Sequence, residues 1–202
     1  MLHLDTLAPA TLKLAQKLLS VPEISDARLV GGTALALQLG HRLSVDLDIF
    51  GQWHENTDLE AAFLPSGGVV RTGKAPRMDF FMIDDVKVDC VNYPYPWIEK
   101  PVRDAGLRLA SVQDIAAMKL NAATRRGSRK DFVDIFFLLR RFSLGEMMEM
   151  HRRKYAGANE YIVLRSLTYF VDAEALPMPA MLVPFDWEEA KKTILAAVAA
   201  YA

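Results

Sequence analysis

The chain has 202 residues, of which 51% are hydrophobic and 24% charged, with 24 lysines and arginines against 25 aspartates and glutamates. This balance excludes a disordered chain and a generally basic nucleic-acid binder, so any nucleic-acid surface must be local. The N-terminus lacks the pattern of a secretory signal, no apolar run is long enough to span a bilayer, and a single cysteine, Cys90, excludes an internal disulfide framework. We therefore expect a folded, cytoplasmic protein with no membrane partner.

The first half of the chain alternates between helical and strand patterns. Helical spacing predicts an opening helix over residues 6–20, followed by a strand in "ARLV", a turn at Gly31 and Gly32, a helix in "TALALQLG" and a strand in "SVDLDIF". A short helix in "NTDLEAAFL" then precedes three strands, in "GVVRTGK", "RMDFFMI" and "VKVDCVNY". The last two strands are predicted to form a hairpin across Asp84 and Asp85.

The second half is helical in pattern. Pro94, Pro96 and Pro101 interrupt the chain, and five helices are predicted after them, in "SVQDIAAMKLNAATRR", "SRKDFVDIFFLLRR", "SLGEMMEMHRRKY", "NEYIVLRSLTYF" and "WEEAKKTILAAVAAYA". We predict an α+β protein, with a mixed α/β core over residues 1–98. A mainly helical C-terminal lobe over residues 99–202 is expected to pack on this core.

Two aspartates lie within an otherwise apolar strand pattern. Alternation along the predicted strand points Val45, Leu47 and Ile49 into a core, and it points Asp46 and Asp48 together to the other side. Two close carboxylates repel each other unless a cation shares them, and oxygen ligands suit Mg²⁺ or Mn²⁺. The spacing therefore predicts a divalent metal site.

A third carboxylate is available on a later strand. Asp89 lies on the polar face of "VKVDCV" and can meet Asp46 and Asp48 if the two strands are neighbours. Asp79, in "RMDFF", is the alternative, because it also lies in a predicted strand. Asp89 is preferred over Asp79 because the residues around it alternate more cleanly.

A phosphate site is predicted in front of this strand. Gly31, Gly32 and Thr33 form a strand-to-helix turn, where backbone amides and the helix N-terminus can receive a phosphate. Arg42 and Ser44 precede the aspartates and are candidates for contact with a phosphate or with the metal-binding carboxylates. Together these features predict metal-assisted phosphoryl transfer on a nucleotide.

Two segments resemble a known family. "GGTALALQLGHRLSVDLDIF" closely resembles the first motif of polymerase-β-like nucleotidyltransferases, and specifically that of the AbiE-type (AbiEii-like) toxins, while "DIAAMKLNAATRRGSRKDFVDIFFLL" resembles that family's helical motif. The resemblance implies a polymerase-β-like core followed by a helical region. It assigns phosphate contact to Gly31, Gly32 and Thr33, metal binding to Asp46, Asp48 and Asp89, and catalytic roles to these aspartates together with Lys119 and Asp131.

The two residues of the helical motif also fit purely structural roles. Lys119 fits a solvated helix lysine, whereas the resemblance places it at the triphosphate. Asp131 follows Ser128 at the spacing of a capping box, which is compatible with a catalytic role as well.

A basic cluster surrounds the turn between the two helices of this motif. It comprises Arg125, Arg126, Arg129 and Lys130. Such a cluster suits a polynucleotide backbone or a triphosphate, and equally an ordinary solvated surface.

The resemblance implies an enzyme that moves a nucleoside monophosphate from an NTP to an acceptor hydroxyl and releases pyrophosphate. It further implies the toxin of a bacterial toxin–antitoxin or phage-defence pair, with RNA, tRNA being one candidate, as acceptor and an antitoxin encoded nearby. One alternative is a nucleotidyltransferase that modifies a small molecule such as an antibiotic. Another is an inactive nucleotide-binding module, against which the intact pair of Asp46 and Asp48 argues.

Overall fold

The computed structural model describes residues 1–125 and 127–201, and the chain divides into two compact units. The first unit comprises residues 1–95 and 100–110, and the second comprises residues 96–99 and the chain from Ser111 onward. Residues 100–110 therefore group with the α/β core, whereas the sequence pattern placed them in the helical lobe.

The first unit is built on a mixed seven-stranded sheet in the order β3-β4-β5-β2-β1-β7-β6. Its strands are β1 (Arg28–Leu29), β2 (Leu47–Gly51), β3 (Val69–Ala75), β4 (Met78–Ile83), β5 (Val86–Asn92), β6 (Val102–Asp104) and β7 (Leu107–Leu109). The strand β2 runs parallel to β5 and antiparallel to β1, whereas β3, β4 and β5 form an antiparallel meander. An α+β fold is thus confirmed.

Three helices flank this sheet: α1 (Pro9–Leu19), α2 (Gly31–Leu39) and α3 (Leu59–Phe63). The helix α1 packs against β1 and β7, α2 against β2, and α3 against β3. Apolar side chains such as Leu18, Leu35, Ile49 and Phe81 are fully buried in this unit. Their burial provides the main stabilisation of the fold, because apolar surface is removed from water.

Local sequence signals account for several boundaries of these elements. Pro9 occupies the first turn of α1, where its missing amide hydrogen costs nothing. Gly40 ends α2 in the left-handed region, with φ of 68°. Asp84 and Asp85 both have positive φ, as a tight hairpin turn between β4 and β5 requires.

One prediction about a strand is wrong, and two strands were missed. The strand β2 begins at Leu47, so Asp46 precedes it, and Val45 is 70% exposed instead of facing a core. The strands β6 and β7 were not predicted, since each has three residues and is too short for a pattern of alternation to be read.

The second unit is helical in its described residues. Its helices are α4 (Val112–Ala123), α5 (Arg129–Leu139), α6 (Leu144–Lys154), α7 (Glu160–Leu167), α8 (Val171–Glu174) and α9 (Trp187–Tyr201). The helix α4 packs on α5, α6 and α7, and α9 packs on α5, α6 and α7. Ser111 and Ser143 cap α4 and α6, and Ser143 forms a complete capping box with Glu146. Among the described helices, none is long and apolar enough to cross a membrane.

Candidate active site

Asp48 and Asp89 are register partners on the neighbouring parallel strands β2 and β5. Register partners in a sheet present their side chains on the same face, so these two carboxylates lie side by side. On the opposite face, Leu47 and Ile49 are fully buried beside Val88. The sheet thus separates a carboxylate face from an apolar core, and the strands of Asp48 and Asp89 are neighbours, which is the condition for these two residues to meet.

Asp79 lies on the other face of the sheet from Asp89. It pairs in register with Cys90, whose thiol is buried in the core and has its pKa raised by that burial. The carboxylate of Asp79 forms an ion pair with Arg71, which also stacks over the ring of Phe81 at 5.1 Å. Asp79 is therefore held on the core face of the sheet, away from the face that carries Asp89.

The first residue of α2 packs directly against Asp48. Gly31 has φ of 67°, and a Cβ at this position would collide with Asp48 Oδ2 and lie 3.1 Å from Asp48 Cγ. In addition, the amide of Val30 donates a hydrogen bond to the carbonyl of Asp48 at 2.8 Å. The glycine therefore lets the carboxylate of Asp48 reach the N-terminus of α2, where backbone dipoles favour a negative charge. Gly32 follows as a half-buried residue in the same helical turn.

Thr33 and Ser44 hold the segment that carries Asp46. The hydroxyl of Thr33 donates to the carbonyl of Asp46 and lies 2.7 Å from the hydroxyl of Ser44. Thr33 is buried, so its hydroxyl serves the loop in this structure. Arg42 is also buried, and its guanidinium donates to the carbonyl of Leu43 at 3.0 Å. These contacts support the position of Asp46 just before β2.

Lys87 interacts electrostatically with Asp46, Asp48 and Asp89. Its Nζ donates to Asp89 Oδ2 at 2.8 Å. This hydrogen bond, together with the nearby charges of Asp46 and Asp48, raises the pKa of the Lys87 ammonium above its ordinary value, and partial burial opposes the rise. The charges of Asp46, Asp48 and Asp89 therefore all act on the ammonium of Lys87.

The oxygen donors of this face suit a hard divalent cation. Asp89 Oδ1 is buried and has no hydrogen-bond partner in the described part of the chain, so it retains an acceptor site to offer. Among residues 1–125 and 127–201, however, no three acidic, histidine or cysteine side chains stand preassembled as a metal site. The carboxylates fit the chemistry of Mg²⁺ or Mn²⁺, with side-chain adjustment needed to gather them.

In the second unit, Lys119 on α4 and Asp131 on α5 form a buried ion pair. Lys119 Nζ lies 2.8 Å from Asp131 Oδ1 and 2.6 Å from Asp134 Oδ2, and all three side chains are almost fully buried. The hydroxyl of Ser128 donates to the other oxygen of Asp131, but it does not accept the backbone amide that a capping box requires. Two interpretations are therefore wrong: Lys119 is not a solvated lysine, and Asp131 does not close a capping box.

The described arginines of the basic cluster do not share one surface. Arg129 donates to the carbonyls of Ala173 and Glu174 and stacks on Trp187 at 5.1 Å, which makes it part of the packing between helices. Arg125 instead lines a cavity of about 500 Å³ within the second unit. Arg126 lies outside the described residues.

Sequence reasoning assigned no role to two residues at these sites, Lys87 and Asp134. Lys87 is two residues from Asp89 on the same strand, so it shares the face of Asp89. Asp134 is three residues from Asp131 on the same helix, so it shares a helical face with that residue. The spacing of Lys87 and Asp89, and of Asp131 and Asp134, is visible in the sequence. Lys119, which joins Asp131 to Asp134, comes from another helix.

Comparison with known proteins gives the enzyme class and the family, which is a family of nucleotidyltransferases. The family model for the nucleotidyl transferase AbiEii toxin of type IV toxin–antitoxin systems matches residues 14–201. The chain belongs to this AbiEii nucleotidyltransferase toxin family, as its two sequence motifs predicted.

Three similar proteins illustrate the relationship. An uncharacterized protein of Aquifex aeolicus is 34% identical over 171 residues, covering 78% of this chain and 80% of that protein. The crystal structure of JHP933 from Helicobacter pylori has a TM-score of 0.58 at 16% identity and covers 95% of this chain and 88% of that one. MenT4, a nucleotidyltransferase toxin from Mycobacterium tuberculosis, has a TM-score of 0.51 at 15% identity and covers 95% of this chain and 85% of that one. These two structures show that the fold is shared.

Proposed function

We propose that this nucleotidyltransferase moves a nucleoside monophosphate from an NTP to a hydroxyl of RNA, with Mg²⁺ or Mn²⁺ bound by Asp46, Asp48 and Asp89. The observation that carries the proposal is the register of Asp48 with Asp89, together with the packing of Gly31 against Asp48. This arrangement brings paired carboxylates to the N-terminus of a helix, which is a favourable place for a phosphate.

The residues of the first unit have distinct parts in the proposed reaction. The backbone at Gly31 and Gly32 faces the phosphates, while Thr33 and Ser44 position the segment of Asp46. Arg42 supports the same segment from inside. A divalent metal ion, when bound, neutralises the triphosphate and polarises the α-phosphate.

The proposed chemistry is a single displacement. The acceptor oxygen bonds to the α-phosphorus, the bond from that phosphorus to the bridging oxygen of the β-phosphate breaks, and pyrophosphate leaves. The acceptor hydroxyl loses its proton in the same step, and in this proposal the carboxylate of Asp89 receives that proton. No covalent intermediate with the protein is needed.

Lys119 and Asp131 keep the roles that the family resemblance gives them as part of the proposal, with Lys119 acting on the triphosphate. The ion pairs of Lys119 with Asp131 and Asp134 determine how that role must be tested. Removing the lysine leaves two buried carboxylates behind, so a variant that keeps the charge is more informative.

The cavity in the second unit supports RNA as the acceptor. Arg125 and Arg165 line it, and neither guanidinium has an acidic partner among the described residues. Tyr161 and Tyr169 line the same cavity and are 69% and 52% exposed. Arginine charge combined with exposed aromatic rings suits a single-stranded nucleic acid, through phosphate contacts and base stacking. Asp172 adds an acceptor that a base amino group can use.

The family also supports a protein partner. Members of a toxin–antitoxin system work in pairs, so we propose an antitoxin encoded next to this chain. The neighbouring reading frame is the first place to look for it.

The test of the proposed function is a transfer assay with purified protein. The protein is incubated with each α-labelled NTP, with Mg²⁺ or Mn²⁺, and with total RNA, and the label is followed into RNA. Wild-type protein should label RNA, and Asp48→Asn should not. Asp85→Asn is the matched control, because Asp85 is exposed in the turn before β5 and tolerates asparagine at its positive φ.

The outcome distinguishes the proposal from its alternatives. Labelling of a small-molecule hydroxyl instead of RNA would favour the antibiotic-modifying type of enzyme. Binding of NTP without any transfer, under every metal and acceptor condition, would indicate an inactive nucleotide-binding module.

A further inference from the structure

Lys87 lies on the carboxylate face and is bonded to the aspartate proposed to bind metal. Its Nζ is 2.8 Å from Asp89 Oδ2, and its side chain is 54% exposed. Asp89 is much less accessible, with 18% of its side chain exposed and its second oxygen, Oδ1, buried. The ammonium therefore occupies the accessible side of a carboxylate that is otherwise enclosed.

This contact differs from an ordinary surface ion pair in its electrostatic surroundings. Asp48 is the register partner of Asp89 across β2 and β5, so its carboxylate lies on the sheet face that Lys87 shares with Asp89. A cation at this place relieves the mutual repulsion of these two carboxylates. That is the same electrostatic task that a divalent metal ion performs when it is bound.

We propose that Lys87 is a positioning residue that holds Asp89 in the metal-free protein and competes with the divalent cation for Asp89 Oδ2. The inference rests on the proposed function, because it takes Asp89 to be a metal ligand. An oxygen that accepts a hydrogen bond from an ammonium loses that contact when a metal ion takes the same position. Lys87 therefore keeps the carboxylate ordered without metal and weakens the binding of metal.

The competition is tested by metal binding in the absence of NTP and RNA. Free Mn²⁺ is measured by electron paramagnetic resonance during titration into wild-type protein, Lys87→Met and Lys87→Arg. Methionine keeps most of the length of the side chain and removes the charge. We expect Lys87→Met to bind Mn²⁺ about three- to tenfold more tightly than wild type, because the metal ion no longer competes with a charged hydrogen bond for Asp89. Lys87→Arg, which keeps the charge, should stay within about threefold of wild type.

A second lysine provides the matched control. Lys74 is 67% exposed and lies 3.9 Å from the carboxylate of Asp79, which faces the core side of the same sheet. Lys74→Met removes the same charge near a carboxylate that is not proposed to bind metal. It should leave Mn²⁺ affinity within about twofold of wild type, because exposed charges interact weakly over distance in salt.

A double-variant cycle shows whether the effect acts through Asp89. In an Asp89→Asn background, the gain from Lys87→Met should shrink to about twofold or less, because the contested oxygen no longer carries a charge. Equal or weaker Mn²⁺ binding by Lys87→Met than by wild type would overturn the inference, as would an undiminished gain in the Asp89→Asn background.

The role of Lys87 and the proposed function can be contradicted independently of each other. The Mn²⁺ titration contains no NTP or acceptor, so its result does not depend on nucleotidyl transfer. Wild-type protein that labels RNA but shows no change in Mn²⁺ affinity in Lys87→Met would retain the function and lose the role of Lys87.

Discussion

Gly31 and Asp48 are in direct contact. Only a glycine at the start of α2 leaves room for the carboxylate of Asp48. The carboxylate of Asp48 lies where a Cβ of residue 31 would stand, and Gly31 has φ of 67°. Two constraints therefore act on this glycine, one from its backbone conformation and one from its neighbour. The turn that we propose to bind phosphate and the carboxylate of Asp48 are in this way parts of one packed arrangement.

Gly31→Ala should lower the free energy of unfolding by about 2–4 kcal/mol, from left-handed strain combined with a forced shift of Asp48. Gly157→Ala is the control, because Gly157 has φ of 82° but no atom within 4 Å of its Cβ position. It should lose only about 1–2 kcal/mol, from strain alone. Urea denaturation of both variants measures the difference. Equal losses would mean that Asp48 moves aside without cost.

Asp89→Asn should reduce nucleotidyl transfer by at least about a hundredfold, because a charged group at the reacting end is lost while the shape is kept. Asp79→Asn should leave transfer within about threefold of wild type, since Asp79 is on the core face of the sheet. It should instead reduce stability, because Arg71 loses one of its three ion-pair partners, and the other two, Asp58 and Glu60, remain. Transfer rates at saturating NTP, with melting curves, separate these effects. The opposite pattern would make Asp79 the third carboxylate.

Lys119→Ala should lower the free energy of unfolding by about 3–5 kcal/mol, because Asp131 and Asp134 would be left buried without their shared lysine. A loss of activity in that variant therefore says little about catalysis. Lys119→Arg keeps the charge and is the informative change: if Lys119 contacts the triphosphate, transfer should fall by about 10-fold or more in protein that still melts cooperatively.

Lys154→Arg is the matched control for this test. Lys154 is buried in an ion pair with Asp114 at 2.7 Å and donates to the carbonyl of Pro96, with no role proposed in the reaction. The Lys154→Arg variant should be less stable than wild type and should keep the wild-type transfer rate. A similar fall in transfer for both variants would assign Lys119 to packing within the second unit.

Stability should decrease in mild acid through His151. This imidazole is fully buried, and neither ring nitrogen has a hydrogen-bond partner among the described residues. Burial lowers the pKa of His151 below its ordinary value of 6.5, with a smaller opposing effect from Glu160. The unfolded chain therefore binds a proton at a pH where the folded protein does not. The stabilising contribution is complete above about pH 6.5 and is lost as the pH falls toward the lowered pKa.

The measurement for His151 is urea denaturation from pH 8 down to pH 5. Below pH 6.5, His151 alone should lower the wild-type free energy of unfolding by up to about 1.4 kcal/mol per pH unit. His151→Leu should reduce that slope. An unchanged slope in His151→Leu would show that other groups control the acid response.

Arg165→Ala and Tyr169→Ala should each weaken the binding of a single-stranded RNA oligonucleotide by about 5- to 100-fold, through loss of a phosphate contact or of a stacked base. Fluorescence anisotropy at fixed salt measures the affinity. Arg153→Ala is the control, because Arg153 is exposed on α6 and does not line the cavity. Unchanged affinity in both cavity variants would remove this cavity from the proposal.

Much of the local structure was predictable because short-range chemistry decides it. Alternation marks β4 and β5, the aspartates at positions 84 and 85 mark the turn between them, and Gly40 marks the end of α2. The motifs around Gly31 and Asp48 also sufficed to predict the family, which the family model confirms. Each of these features is determined within a few residues along the chain.

Other features depended on which distant residues pack together. The placement of Asp89 beside Asp48, and of Asp79 on the opposite face, follows from strand order and register. The burial of Lys119 follows from the approach of α5 to α4. Periodicity alone gave the wrong environment for Val45, because the strand begins two residues later. Side-chain spacing along the chain was therefore determined by the sequence itself, whereas tertiary packing decided which charges meet and which are buried, since desolvation and ion pairing depend on neighbours from other elements.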